Sequence, residues 1–238
     1  MFQAVRKFFA ASALPPMDER KLRKARRLVG LFLFEFVVVV LGVLVAQTLQ
    51  ERAATERAET DARVAVERAA QEAAAFRSTS EYWLRAGPCL ENRMDELMRA
   101  AANGKPDAIS REPRPRMPLS AFTAWSETTT MTTRRMFGDR FVARYAALET
   151  MAAKMAQDSH ELAGEWALLG LIDPALGAVG REDRFNARLA AGRIKGRLAS
   201  LNVTAVHAVD AAARLGVKAD PARSRLLTLP AGCAGIAQ

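Results

Sequence analysis

The chain has 238 residues, of which 35 are Lys or Arg and 26 are Asp or Glu; this length is typical of one or two domains. Charged residues make up 26% of the chain, an ordinary globular fraction that excludes a wholly disordered protein. Residues 1–30 contain eight of the basic and two of the acidic residues. Because the positive surplus is concentrated at one end, the net charge of +9 does not indicate a nucleic-acid partner, and none is expected. Two His and two Cys leave almost nothing for a metal site or a Cys/His nucleophile.

A long apolar run lies near the N-terminus. Residues 28–50 read LVGLFLFEFVVVVLGVLVAQTLQ and contain a single charged residue, Glu35. At ~1.5 Å rise per residue this helix is ~35 Å long, enough to cross a hydrocarbon core of ~30 Å. The run is too long for the apolar core of a signal peptide, and VAQTLQ is a poor cleavage site. The sequence therefore predicts an uncleaved transmembrane helix over residues 28–50.

The charges on the two sides of this run differ. Six basic residues stand in the eight positions before it: Arg20, Lys21, Arg23, Lys24, Arg26 and Arg27. Residues 51–65 contain three basic and four acidic residues. The positive-inside rule places residues 1–27 in the cytoplasm and residues 51–238 outside, which predicts a single-pass protein of the bacterial inner membrane with a periplasmic domain. The basic cluster either serves topology alone or also binds anionic lipid headgroups.

The pattern after the run is helical. Residues 51–86 contain neither Pro nor Gly, so the membrane helix is expected to continue outward. Apolar or small residues recur there at alternating steps of four and three, which is typical of a helix that packs on others. These positions are Ala62, Val66, Ala69, Ala73, Phe76, Ser80 and Trp83. Gly87-Pro88 is expected to end this helix and to start another, which ends at Asn103-Gly104.

The second half of the chain predicts a stiff connector and further helices. Four prolines lie within residues 104–118, and a short helix is expected over Ser120 to Thr130. Two long helices follow, with Asp139 as the N-cap of the first and Gly216 just after the end of the second. Arg225–Leu229 is the one candidate strand. The inward positions of the long helices are Phe141, Tyr145, Leu148, Ala152, Met155, Ser159, Leu162, Trp166 and Leu169, then Ile194, Leu198, Leu201, Ala205, Ala208, Ala212 and Leu215.

These elements together predict an all-α protein. One N-terminal transmembrane helix continues into an elongated extracytoplasmic bundle of antiparallel helices, and a loop-rich tail ends the chain. The domains are then a cytoplasmic segment over residues 1–27, the span over residues 28–50 and a periplasmic bundle over residues 51–238.

Cys89 and Cys233 both fall on the outer side in this topology. An even pair of cysteines in an oxidising compartment favours a disulfide, which would tie the C-terminal tail to the helix that contains Cys89. The alternative is two unpaired thiols, with Cys89 a small apolar residue of a helix.

Glu35 is an ionisable residue inside the predicted span, and such residues are functional candidates. Gly42 lies seven residues, or two helical turns, further along the same face, where it permits the close approach of a second helix. A neutral carboxyl, or one that extends toward the basic cluster, explains Glu35 without a partner. The alternative is a partner helix, from another membrane protein or a second copy, that supplies a hydrogen bond or an opposite charge.

The span resembles that of a widespread group of uncharacterised bacterial single-pass membrane proteins, known only as a domain of unknown function. Its members share an acidic residue, an aliphatic run, a Gly seven residues after the acid and a later Gln. Here residues 35–47 read EFVVVVLGVLVAQ and match this order with Glu35, Gly42 and Gln47. The resemblance is best over residues 1–55. It implies a membrane location and a helical exterior, and it assigns no activity.

Residues 30–35, which read GLFLFE, also resemble the type IV prepilin signature. In that signature a Glu follows a Gly by five residues, behind a basic leader. The Glu of pilins meets the N-terminal amine of a neighbouring subunit. The resemblance implies a pilin-like subunit, although Phe32 stands where those proteins carry Ser or Thr and the exterior lacks the pattern of their β-rich head.

The sequence favours a non-enzymatic, membrane-anchored scaffold or accessory subunit of an inner-membrane complex. Membrane lipids and another membrane protein, or a second copy of the chain, are the expected partners. The sequence contains no phosphate loop, metal-ligand cluster or nucleophile motif, so neither an enzyme nor a cofactor is expected. The alternatives are a periplasmic ligand-sensing module, the pilin-like subunit and a proton-conducting stator subunit with Glu35 as the proton carrier.

Overall fold

The computed structural model describes residues 19–103, 114–123, 125, 127–175, 177–230 and 233, and for residues 19–28, 127 and 128 it describes the backbone alone. Every regular element in these ranges is helical, which confirms the all-α prediction. The elements are α1 (Glu19–Ala102), α2 (Glu127–Phe137), α3 (Asp139–Leu168), a 3₁₀ turn (Leu169–Ile172), α4 (Arg181–Arg214) and α5 (Pro221–Leu226).

The chain divides into an N-terminal unit, Met1–Arg57, and a C-terminal unit, Ala58–Gln238. The described part of the N-terminal unit is a single helix, the first part of α1. Its side chains from Val29 to Gln50 are all exposed. The C-terminal unit contains the rest of α1 and the helices α2 to α5, and its buried apolar core is formed by residues of α1, α3, the 3₁₀ turn and α4.

The helix α1 passes through Gly87 and Pro88 without ending, so the boundary predicted there is wrong. Pro88 has no N–H and interrupts one helical hydrogen bond, at a cost of about 3 kcal/mol. Side chains on both sides of the proline nevertheless enter the same core, where Trp83, Leu90 and Met94 are buried. Burial stabilises by about 1.5–3 kcal/mol for each such side chain, so their packing together outweighs the effect of the proline.

A second prediction is wrong in the segment between α1 and α2. The sequence predicts a helix over Ser120 to Thr130, but residues 120–123 and 125 have no regular structure and α2 begins only at Glu127. The ring of Phe122 lies 5.9 Å from that of Phe76 on α1. The ring of Trp125 lies 5.8 Å from that of Tyr145 on α3. These aromatic contacts hold the segment between two helices, and tertiary packing replaces the local helix.

Gly138 forms the turn between α2 and α3, with a φ of +87° that glycine adopts most readily. Gly138 is also the residue at the N-cap of α3. The prediction of Asp139 as the N-cap is therefore wrong by one position, and Asp139 is the first helical residue instead. Its carboxylate forms an ion pair of 3.0 Å with Arg134 of α2.

α4 runs antiparallel to both of its long neighbours. In the hydrogen-bonded pairs between α3 and α4, the residue numbers rise along α3 as they fall along α4. These pairs are Lys154–Ser200, Asp158–Arg197 and Glu165–Arg193. The same order holds against α1, where Lys195 binds Asp95 at 2.7 Å and Asn202 faces Gly87. The C-terminal unit is therefore an antiparallel helical bundle in which α1 and α3 run in the same direction.

The predicted inward positions form the core of this bundle. These positions are all buried except three, which are half-buried: Val66 on α1, Phe141 on α3 and Leu215 just after α4. The regular spacing of apolar residues was therefore sufficient to identify the buried face of each long helix.

Turn and capping residues shape the chain after α4. Gly216 has a φ of +71° and lies just after the helix, as predicted. Asp220 is the N-cap of α5, accepting a hydrogen bond of 2.9 Å from the backbone N–H of Ala222. The candidate strand over Arg225–Leu229 is not formed, because its first residues belong to α5 and the rest have no regular structure.

Candidate membrane-spanning and interaction site

Among the described residues, one helix is long and apolar enough to cross a membrane, and it lies near the N-terminus. It includes the predicted span, in which all the described side chains from Val29 to Gln50 are exposed. An exposed apolar surface of this extent marks a site of membrane or protein interaction. The observation is consistent with a single-pass membrane protein.

Glu35 and Gly42 lie on the open surface of this helix. They are two turns apart and share one face, and both are exposed. A Cβ atom added at Gly42 would meet no atom within 4 Å. The carboxyl of Glu35 contacts no polar partner in the described part of the chain. The face predicted to contact a second helix is therefore accessible.

The basic cluster between Arg20 and Arg27 lies within α1, before the apolar part of the helix. Its side chains lie outside the described residues.

Cys89 and Cys233 are bridged in the C-terminal unit, and their Cα atoms are 5.8 Å apart. This Cα–Cα distance is usual for a disulfide. Both residues are buried. The bridge joins α1 to the last described residue of the chain, across a sequence separation of 144. Oxidation of this pair in the cell stays a prediction, and the geometry permits it without movement of the backbone.

The C-terminal segment reaches Cys89 by following α1. The backbone N–H of Asp220 donates to the carbonyl of Ala74 at 3.3 Å, and the hydroxyls of Ser224 and Ser78 are 3.1 Å apart. Cys233 then lies beside Cys89 further along the helix. Two buried polar side chains of α1, Ser78 and Thr79, bond to this segment, a contact that helical periodicity alone did not reveal.

A polar cluster between α3 and α4 was missed by the sequence analysis. Asp158 is fully buried and accepts a hydrogen bond of 2.8 Å from the hydroxyl of Ser200. Lys154 and Arg197 both pair with its carboxylate, which is why a buried acid is tolerated there. The spacing of Lys154 and Asp158 by four residues was the available signal. Because the cluster is closed on itself, it fixes the two helices and leaves no group free for a ligand.

A shallow groove of about 390 Å³ lies between the same two helices, nearer the start of α3. Its lining includes Arg144, Met151, His207, Asp210 and Arg214. Arg214 is paired with Asp210 at 2.7 Å, whereas Arg144 pairs with no carboxylate in the described ranges. The groove has the charge to attract a small anion. No group of three His, Cys, Asp or Glu residues suited to a metal ion occurs in the described part of the chain.

Burial raises the pKa of Tyr82 and of Tyr145 above the ordinary value for a phenol. The positive charges of Arg116 and Arg85 oppose this rise at Tyr82. The hydroxyl of Tyr82 also donates to the backbone carbonyl of Arg116 at 3.2 Å. Both phenols are therefore neutral at physiological pH, and they serve packing.

Comparison of the chain with protein-family models, with curated proteins and with solved structures finds no match. The features that bear on function are thus the open apolar helix with Glu35 and Gly42, the basic residues before it, and the surface of the C-terminal unit.

Proposed function

We propose that this protein is a non-enzymatic scaffold or accessory subunit, anchored in a membrane by a single helix over residues 28–50. The face that contains Glu35 and Gly42 contacts a helix of another membrane protein or of a second copy. The observation that carries the proposal is the exposure of every described side chain from Val29 to Gln50. A carboxyl group within hydrocarbon is unfavourable without a partner, and the described chain supplies none.

The proposed topology places residues 1–27 in the cytoplasm and residues 51–238 in the periplasm of a bacterial inner membrane. The basic residues before the span support this orientation. The approach of Cys89 and Cys233 supports it too, because disulfides persist in oxidising compartments. A reporter that fluoresces only in the cytoplasm should be bright when fused before Met1 and dark when fused after Gln238. The reverse pattern would contradict the orientation.

Partner contact through the span is tested with matched glycine substitutions. Gly42→Leu adds a side chain on the face of Glu35, whereas Gly30→Leu adds the same side chain about 120° away around the helix. Each full-length variant is purified in a mild detergent, and co-purifying proteins and oligomers are quantified by mass spectrometry. Gly42→Leu should reduce the complex about tenfold or more, equivalent to ~1.4 kcal/mol. The Gly30→Leu control should leave it unchanged.

Glu35→Leu tests the polar half of the same contact. Interhelical hydrogen bonds in membranes contribute about 0.6–2 kcal/mol, so this variant should weaken the complex by about three- to thirtyfold. Glu35→Gln retains hydrogen-bonding groups and should weaken it less. A complex that survives both Glu35→Leu and Gly42→Leu would refute a role for this face.

The groove beside Arg144 supports a second proposal, a periplasmic ligand-sensing module. Its positive charge and its partly apolar lining suit a small acidic molecule. The same purification distinguishes the two functions, because a sensor should retain a small molecule that native mass spectrometry detects. A defined protein complex without such a molecule favours the scaffold.

A further inference from the structure

The turn between α2 and α3 exposes both apolar and basic side chains. We call residues 131–144 the α2–α3 tip. Met131 is 61% exposed and Phe137 is 42% exposed. The tip also contains four exposed arginines: Arg134, Arg135, Arg140 and Arg144. Arg134 is paired with Asp139, and the other three pair with no carboxylate in the described part of the chain. Exposed Phe and Met among unpaired arginines are typical of a segment that lies on a membrane surface.

The chain before the tip runs back along α1 toward the start of the C-terminal unit. Three hydrogen bonds follow this path in order: Arg116 with Tyr82, Ser120 with Thr79 and Thr123 with Glu72. As residue numbers rise in the connecting segment, they fall along α1. The segment therefore approaches the end of the bundle at which α1 enters it.

The α2–α3 tip follows this segment in the chain and lies still closer to the end of the bundle at which α1 enters it. Trp125, just before α2, contacts Tyr145 of α3, and the rings of Phe137 and Phe141 stack at 5.2 Å. α2 and α3 thus form a hairpin. Because α3 runs in the direction of α1, the residues of α3 that precede Tyr145 lie still nearer the entry of α1.

Few residues connect the predicted span to the C-terminal unit. Seven residues separate Gln50 from Ala58, the first residue of the C-terminal unit. No conformation of that linker spans more than about 30 Å. Residues 51–68 contain four basic and five acidic residues, so the neighbouring part of α1 is nearly neutral and does not cancel the charge of the tip.

We propose that the α2–α3 tip docks on anionic phospholipid headgroups of the membrane leaflet that faces the C-terminal unit. The proposal rests on the membrane anchor proposed above. The unpaired arginines bind lipid phosphates, while Phe137 and Met131 enter the boundary between headgroups and acyl chains. Each arginine near an anionic surface raises the equilibrium constant for docking about fivefold, so the three together raise it roughly a hundredfold. Docking fixes how the bundle is held on the membrane and which faces remain available to partners.

The test uses the full-length protein reconstituted in vesicles. Phe137→Cys carries an environment-sensitive dye at the tip, and Met131→Cys is a second tip position in case the first disturbs packing. Phe185→Cys is the matched control, since Phe185 is 59% exposed near the start of α4, at the opposite end of the bundle. The unsubstituted protein, with its buried cysteines, is the labelling blank. Vesicles contain either phosphatidylcholine alone or phosphatidylcholine with phosphatidylglycerol, and a nitroxide on the lipid headgroups quenches any dye that reaches them.

Docking predicts strong quenching at Phe137→Cys and Met131→Cys in vesicles with phosphatidylglycerol, and little at Phe185→Cys. Replacing Arg135, Arg140 and Arg144 by Gln should lower the equilibrium constant for docking roughly a hundredfold and remove most of the quenching. Tip dyes as weakly quenched as the control, in protein that floats with the vesicles and resists alkaline extraction, would overturn docking while leaving the anchor intact. Tip dyes that are protected from water equally in both kinds of vesicle and in detergent would show that the tip contacts protein instead of lipid. This result would also overturn the docking proposal. Protein that fails to float would refute the anchor and the docking together.

Discussion

Removal of the Cys89–Cys233 cross-link is expected to lower the free energy of unfolding of the C-terminal unit by about 3–5 kcal/mol. The bridge closes a loop with a sequence separation of 144. In the chain-entropy relation, a loop of this size removes ~17 cal/mol/K from the unfolded ensemble, or ~5 kcal/mol at 25 °C. Residual structure in the unfolded chain reduces the realised figure, which sets the lower end of the range.

The measurement compares the full-length protein in detergent with a variant that combines Cys89→Ala and Cys233→Ala. The three tryptophans, Trp83, Trp125 and Trp166, all lie in the C-terminal unit, so their emission reports the unfolding of that unit alone. With an m-value of about 2 kcal/mol/M in urea, the double variant should unfold at a urea concentration about 2 M lower. Cys89→Ala alone should behave like the double variant, since one cysteine cannot form the bridge.

Three outcomes would contradict this reasoning. A double variant within about 0.5 kcal/mol of the parent protein would show that the bridge does not constrain the unfolded chain. Alkylation of both cysteines in unfolded protein that has not been reduced would show that the bond is absent. A dimer that dissociates only on reduction would mean that the bond joins two chains.

The other predictions concern the bundle. Leu201→Ala removes a buried side chain of α4 and should lower the free energy of unfolding by about 2–5 kcal/mol in the same urea assay. Val203→Ala, at an exposed neighbouring position, should change the free energy of unfolding by less than about 0.5 kcal/mol. Equal effects of the two substitutions would contradict the assigned core. Asp158→Ala should destabilise by about 1–3 kcal/mol because it removes charged hydrogen bonds at a buried site, and a neutral result would show that the cluster does not hold α3 against α4. Burial raises the pKa of Tyr82 and Tyr145 above 10.0, so the unfolded chain loses these protons first and the free energy of unfolding should fall as pH rises above about 10. As these are the two tyrosines of the chain, phenolate absorbance should appear at higher pH in folded than in urea-unfolded protein, and coincident titrations would refute the burial effect.

The fold class, the apolar helix and the buried face of each long helix all followed from local patterns in the amino-acid chain. Apolar spacing at steps of three and four requires only that one face of a helix leave water, and this local rule identified the inward positions of α1, α3 and α4. Gly216 was found for a similar reason, since a residue with positive φ just after a helix is favoured by backbone sterics alone. The pairing of Cys89 with Cys233 was expected from their even number and outer location, and the backbone brings them together.

Contacts between distant parts of the chain overrode local preference at several points. Gly87-Pro88 carries a strong local signal for a helix end, but core side chains on both sides of it keep α1 continuous. Phe122 and Trp125 fit a helical pattern, yet their rings are held by helices distant in the sequence. The cluster at Asp158 and the location of the α2–α3 tip likewise depend on which helices become neighbours. Such contacts join residues far apart in the chain, and a periodicity within one segment contains no information about them.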